Sequence, residues 1–485
     1  MTVTADDIRS EAAEIFPADS LIYELDQLRT YDCDGLTGRR VVPALVILAG
    51  SMQDVQDAVR FCNRLGVPFV ARGAGTGLSG GAVPVAEGVV ISLQRMNRIL
   101  EIDFDSERVV VEPGVTNLAV SEAVAEAGYY YAPDPSSQQV CTIGGNVAEN
   151  SGGAHCLKRG FTVNHVTGLD VVLPNGEQIT IGGKSFYNEG PDLLGVLIGS
   201  EGTLGIVTRI TLRILPRPAE VWTLLAGFKS VDMAGQVVSD VIASGVLASA
   251  MEIMDRLTVE AAESVVSVGY PLVDGVLLVE LDGNLEQVKT DANAVMKICR
   301  DRGAVDIRVA QDDAERALLW KGRKAAFAAM GRVSPNYYVQ DGVVPRSALP
   351  DVLRRIEGLS SEYGLRVGNV FHAGDGNLHP LVLYDASNPS ETVRAEELAI
   401  AILEACVEAG GSLTGEHGIG TDKACSMPLM FSESDLSVMS RFRKVFDPEE
   451  RSNPGKLFPT PRLCGEVPGP YRAHPLELAG RIERF

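Results

Sequence analysis

The chain has 485 residues and sets 64 Asp and Glu against 43 Lys and Arg, a formal net charge of -21. That acidity argues against nonspecific nucleic-acid binding, which needs a basic footprint, but not against small anionic substrates, which answer to local charge. The length points to two or three domains; no apolar run is long enough to span a bilayer, and Asp6, Asp7 and Glu11 stand where a secretory signal would be basic and then apolar, so a cytoplasmic protein without membrane insertion is expected.

In chain order, the first strong pattern is Ser51 to Leu65. Val55, Ala58, Val59, Cys62 and Leu65 share one helical face, Ser51 can cap the start and Gly66 can end it. Short strands follow at Val67 to Ala71, Gly88 to Leu93 and Arg108 to Val111. A second helix is expected from Thr116 to Ala127, capped by Thr116 and stopped at Gly128. His165 to Leu173 and Glu177 to Ile181 read as a hairpin about Pro174-Asn175-Gly176. Leu204 to Leu215 alternates as a strand. Pro216 and Pro218 then break the chain, and a domain boundary is placed there.

The second half has strands at Val221 to Phe228 and Val276 to Leu281, with helices at Val231 to Ala243 and Leu285 to Arg300. Helices near 312–329, 347–362 and 391–409 alternate with strands near 337–344, 366–372 and 379–384. This is an α+β sheet layer covered by helices. The tail beyond Phe458, rich in Pro and Gly, reads as an extended arm.

Glycine loops carry the first chemical signal. Arg72-Gly-Ala-Gly-Thr-Gly-Leu-Ser-Gly-Gly81 runs between two strands. Ordering so many glycines is costly unless the backbone N–H groups gain partners, and successive N–H groups make an anion site suited to a pyrophosphate. A strand follows the loop and no Gly-Lys-Ser/Thr does, so it is neither a Walker loop nor a dinucleotide fingerprint that opens a helix. Three further stretches share this character. They are Pro133 to Gly153, Gly199 to Val207, and Asn453-Pro454-Gly455-Lys456.

Histidines carry the second signal. Of the six in the chain, His372 and His379 lie in Asn369-Val-Phe-His-Ala-Gly-Asp-Gly-Asn-Leu-His-Pro380, and Glu416-His417 follows in Thr414-Gly-Glu-His-Gly418. Taken singly, each histidine reads as easily as a loop residue bonded to backbone. Grouped, His372, His379 and Glu416 offer an N/N/O donor set for a divalent ion, which leaves His417 as a base.

From about Tyr31 to Phe458, the loops and histidines in this order resemble the FAD-linked oxidases of the vanillyl-alcohol oxidase / p-cresol methylhydroxylase type. Within them they resemble the D-2-hydroxyacid dehydrogenase branch, which includes the glycolate oxidase catalytic subunit and D-lactate dehydrogenase. The resemblance implies a two-lobed FAD-binding domain over 1–217, completed by 445–485. It also implies an α+β substrate (cap) domain over 218–444, with an antiparallel sheet under helices and the metal site. It implies that Arg72, Gly73, Ala74, Gly75, Thr76, Gly77, Leu78, Ser79 and Gly80 hold the FAD pyrophosphate. Pro133, Asp134, Ser136, Ser137, Thr142, Ile143, Gly144, Gly145, Asn146, Glu149, Asn150, Gly152 and Gly153, with Glu201, Gly205, Ile206 and Val207, would line adenine, ribose and isoalloxazine. Asn453 would close over the flavin. Members with covalent flavin often have a histidine in the first loop; here Thr76 stands about there, so noncovalent FAD is expected.

By the same resemblance His372, His379 and Glu416 are ligands of a divalent ion (Zn, with Mn or Fe as alternatives), and His417 is the base. Arg323, in a predicted helix, would bind the substrate carboxylate with its guanidinium fork. Tyr337 and Tyr338 are further candidates to reach the pocket, while Asp375 and Asn377 are expected to shape a loop. The implied reaction is oxidation of a 2-hydroxy acid by proton abstraction and hydride transfer to flavin N5. Leu381 and Val339 stand where hydroxyglutarate-type members carry an asparagine and a lysine, and Tyr31-Asp-Cys-Asp-Gly-Leu36 also resembles the glycolate oxidase subunit. Glycolate or D-lactate is therefore expected. D-2-hydroxyglutarate is the alternative, as is a metal hydrolase should no flavin bind. The eight cysteines form no C-x-x-C pair. They fit a reducing compartment, and any iron–sulfur relay belongs to partner subunits, with flavin-binding partners also implied. Such partners would set the protein against the inner face of a membrane.

Overall fold

Ser51 does cap its helix: its hydroxyl accepts from Asp54 N, the helix runs Met52–Leu65, and Gly66 ends it in the left-handed conformation at φ 71°. This helix lies in the first of two compact units of the computed structural model, which describes residues 3–185 and 190–459. The expected C-terminal arm falls, from residue 460 on, outside the described residues.

The first unit comprises Met1–Gly152, Gly160–Arg217 and Glu416–Phe485. Among the described residues it holds two larger sheets and a two-stranded one, Tyr129–Tyr130 with Leu215–Pro216. In the four-stranded one the order is Leu21–Ile22, Leu45–Leu48, Val89–Ser92, Phe69–Arg72, and the last three strands are parallel. The Met52–Leu65 helix buries Val55, Ala58, Val59 and Cys62 against this sheet. The five-stranded sheet is antiparallel and includes the expected hairpin, Val166–Val172 paired with Gln178–Gly182. The second helix is shorter than expected, Asn117–Val124 followed by a 3₁₀ turn to Ala127. Thr116 holds the cap position, but its side chain makes no capping bond.

The second unit comprises Gly153–Arg159 and Pro218–Gly415. Its nine-stranded antiparallel sheet starts Asp306–Val309, Glu220–Phe228, Gly275–Gly283, Ala250–Asp255, Val367–His372. Strand alternation sends Met251, Ile253, Leu277 and Val279 to one face and Met254, Val276 and Leu278 to the other. On the first face lie the helices Val231–Ala243, Leu285–Asp301, Leu349–Tyr363 and Pro389–Glu408. On the second lie Arg256–Glu263 and Asp313–Ala329. The α+β class and the helix-covered antiparallel sheet are thus as expected.

Elements of this unit also differ from the sequence reading. The strand expected over 337–344 is two strands, Asn336–Val339 and Gly342–Val343. The break falls at Gln340 and Asp341, where Asp341 turns to bind Thr414 and Gly415. The central strand Ala250–Asp255 was not foreseen, because every residue in it is buried and Glu252 and Asp255 interrupt the apolar pattern.

Candidate active site

In the first unit the glycine loops are held together by side chains and backbone of the same unit. Arg72 donates from Nη1 to Ala82 O at 3.2 Å, and its guanidinium lies 5.6 Å from the Tyr31 ring centre. Asp34 accepts from Leu36 N and Ala82 N, and burial raises its carboxyl pKa. Asn117 Nδ2 donates to Pro133 O at 3.0 Å and to Asn146 Oδ1 at 3.1 Å, joining the two halves of the second loop. Thr142 caps the helix Ile143–Glu149, accepting from Gly145 N. Asn150 Oδ1 accepts from Val163 N at 2.9 Å. Asn453 Nδ2 donates to Gly81 O at 2.9 Å and Glu201 O at 2.6 Å, so it ties the first and third loops to the C-terminal segment.

Glu201 is buried, and its two oxygens accept from Ile419 N at 2.7 Å and Gly420 N at 2.8 Å. Burial pushes its carboxyl up to about 7, against the pull of those two amides and of Lys456. Lys456, itself buried, is brought down to about 8 by desolvation and donates to Val83 O. Gly418 has to be glycine. Its φ is +83°, and a Cβ there would come 2.3 Å from Glu149 Oε2 and 2.8 Å from Glu201 Oε1. The chain returns to the first unit at Glu416, where the sequence reading placed the return at 445. The capture of 419 and 420 by Glu201 explains the earlier point. His417 Nε2 lies 4.0 Å from Glu416 Oε1.

In the second unit His372 and His379 are together, their rings 5.1 Å apart and nearly perpendicular. His372 Nδ1 lies 2.8 Å from Glu252 Oε1, and His379 Nδ1 is 3.4 Å from Gln340 O. Arg323 is not on a solvated face. It is buried, donates from Nε to Glu252 Oε2 at 2.8 Å, and holds Nη2 2.6 Å from the same oxygen. The Nε side of the guanidinium therefore faces Glu252, while Nη2, buried, makes no hydrogen bond among the described residues. In a buried pair of this kind, removing one partner costs about 3–5 kcal/mol. Lys321 and Lys324 are exposed. Tyr337 packs in the apolar cluster with Leu381 and Leu383, and Tyr338 faces the opposite cluster, as strand alternation requires. Asp375 Oδ1 accepts from Asn377 N, a local turn bond. Asp341 is fully buried and accepts from Gly415 N at 3.0 Å, which fixes the residue just before Glu416.

Glu252 and Asp341 are the residues that sequence reasoning missed. Neither belongs to a motif, and the partners of Glu252 are 71 and 120 positions away.

Comparison with known proteins then places the chain. Residues 43–182 match the family described as "FAD binding domain", and residues 217–457 match "FAD linked oxidases, C-terminal domain". Over 473 residues it is 47% identical to the glycolate oxidase subunit GlcD of Escherichia coli (strain K12), covering 97% of this chain and 95% of that protein. The chain belongs to the FAD-linked oxidases. Other relatives are the glycolate oxidase subunit GlcD of Bacillus subtilis (strain 168) and the D-lactate dehydrogenase of Anaerostipes hadrus. The first is 38% identical over 88% of this chain and 92% of that protein, the second 32% over 90% and 93%. The fold is also that of 4-ethylphenol oxidase from Gulosibacter chungangensis, with a TM-score of 0.77 at 20% identity covering 93% of this chain and 97% of that one. p-Cresol methylhydroxylase gives 0.77 at 19%, covering 93% and 96%.

The first unit of this FAD-linked oxidase fits its cofactor. Ser79 Oγ and Asn453 Oδ1 on the gathered loops, and Thr421 Oγ1 beside them, are buried and find no hydrogen-bond partner among the described residues. Among the described residues, no helix is long and apolar enough to cross a membrane.

Proposed function

We propose that this FAD-linked oxidase converts a short D-2-hydroxy monocarboxylate, glycolate or D-lactate, to its 2-oxo acid. The observation that carries the reading is the perpendicular His372–His379 pair, backed by Glu252, in a chain that continues from Gly415 into Glu416-His417. The relatives named for glycolate and D-lactate support it. Bound FAD supplies a hydride acceptor, and a divalent ion supplies a Lewis acid that acidifies the hydroxyl and anchors the adjacent carboxylate.

The chain's own residues do the rest. His372, His379 and Glu416 would hold the ion, a donor set that suits Zn and admits Mn or Fe. The side chain of His417 takes the hydroxyl proton. Its neighbours are fixed, Gly415 by Asp341 and Ile419 and Gly420 by Glu201. Loop backbone over 72–80, 133–153 and 201–207 would cradle the FAD, with Asn453 Oδ1 presented to it. Flavin-binding and iron–sulfur partner subunits would carry electrons onward, consistent with relatives named as subunits.

The flavin is held without a covalent bond in this reading, because residues 72–81 contain no histidine. Acid precipitation should release all the FAD into the supernatant; colour kept in the pellet would count against it.

Substrate choice rests on unpaired charge. Val339 and Leu381 face each other across two strands, and Leu381 is fully buried among apolar side chains. Neither can partner a distal carboxylate, whose desolvation then costs several kcal/mol. Under one artificial acceptor, kcat/KM for glycolate or D-lactate should exceed that for D-2-hydroxyglutarate by on the order of 10²-fold. A preference for hydroxyglutarate would overturn the assignment and direct attention to Lys423, which is buried beside Gly418 O.

A further inference from the structure

Glu252 joins two groups that the sequence keeps far apart. It is 0% exposed, on the central strand Ala250–Asp255, and its direct cross-strand partner is His372. Alternation puts both side chains on the face covered by the helix Asp313–Ala329. That helix lies close, because Gly322 has no side chain. A Cβ there would come 2.5 Å from Val268 Cγ2 and 2.7 Å from the Tyr270 hydroxyl. The Tyr270 hydroxyl also donates to Leu319 O, one turn before Arg323. The helix thereby brings Arg323, with Phe327 beside its guanidinium, down onto Glu252.

A carboxylate only accepts, so each of its contacts constrains the donor. His372 must carry its proton on Nδ1 to donate to Glu252, which puts the ring's lone pair on Nε2. Arg323 donates to Glu252 Oε2 from Nε, with Nη2 2.6 Å from the same oxygen as an ion pair, and at this depth each charge needs the other.

We propose that Glu252 is a positioning residue for the ion-binding side of the site. Its carboxylate fixes the tautomer and angle of His372, and Arg323 serves as its counter-ion. This rests on the proposed ligand role of His372.

The test is a double-mutant cycle of Glu252→Gln and Arg323→Met, with Zn²⁺ and Mn²⁺ affinity read by chelator competition. Flavin content, and kcat and KM for glycolate, are measured in parallel on the same holoenzyme. Glu252→Gln should weaken Zn²⁺ binding on the order of 10–100-fold while flavin content stays at the parent level. Arg323→Met should weaken it too, and add little once Glu252 is already glutamine. Unchanged Zn²⁺ affinity in Glu252→Gln overturns the proposal. So does an Arg323→Met variant that raises KM by the same factor in both backgrounds and leaves the ion alone. Should Glu252→Gln fail to retain flavin, Glu252→Asp keeps the charge on a shorter arm. It should show an intermediate loss of Zn²⁺ affinity, and no loss would be equally fatal. A parent enzyme that binds neither ion would instead sink the ligand assignment itself, and the proposal with it.

Discussion

His417→Ala should still bind FAD, the divalent ion and substrate, yet reduce its flavin on the order of 10²–10⁴-fold more slowly, the usual penalty for losing a general base. The reason is positional. The amides of Ile419 and Gly420 are anchored on the buried Glu201, and Gly415 is anchored on Asp341, so the imidazole occupies a short, tethered stretch. Alanine at 417 removes the proton acceptor and leaves those anchors in place. The measurement is single-turnover flavin reduction at saturating substrate in a stopped-flow instrument. Reduction at the parent rate would remove His417 from the mechanism.

His372→Ala and His379→Ala should each lose the ion and lower turnover by on the order of 10³-fold, while holding a full complement of FAD. An ion that polarises the hydroxyl is worth several kcal/mol, and each 1.4 kcal/mol is a factor of ten. Flavin should stay because the glycine loops are bound together by Arg72, Asn117, Asn453 and Glu201, none of which depends on either histidine. Elemental analysis beside the flavin absorbance decides the matter. Metal content equal to the parent would show that these imidazoles are not the ligands.

Much of the fold was legible because its signals are local. The Met52–Leu65 helix announces itself by Ser51, Gly66 and a single apolar face, and the hairpin by Pro174-Asn175-Gly176. Glycine density marked the loops of the first unit, although it did not show that Glu201 and Asn453 spend their polar groups tying those loops together. The His372 and His379 pair was visible as a motif. Its support was not. Glu252 reads as a charged interruption in an apolar run, and only the register Glu252↔His372 and the approach of Arg323 give it meaning. Asp341 was hidden likewise, inside what looked like one continuous strand. Buried charges are satisfied by partners distant in sequence, and local pattern carries no trace of them.

Anaerobic mixing of the purified, FAD-loaded protein with glycolate or D-lactate tests the proposed chemistry most directly. Flavin absorbance should bleach with either acid, stop bleaching after exhaustive treatment with a chelator, and recover when Zn²⁺ or Mn²⁺ is returned. A flavin that stays oxidised with every short 2-hydroxy acid, or bleaches equally well in the chelated protein, would contradict it.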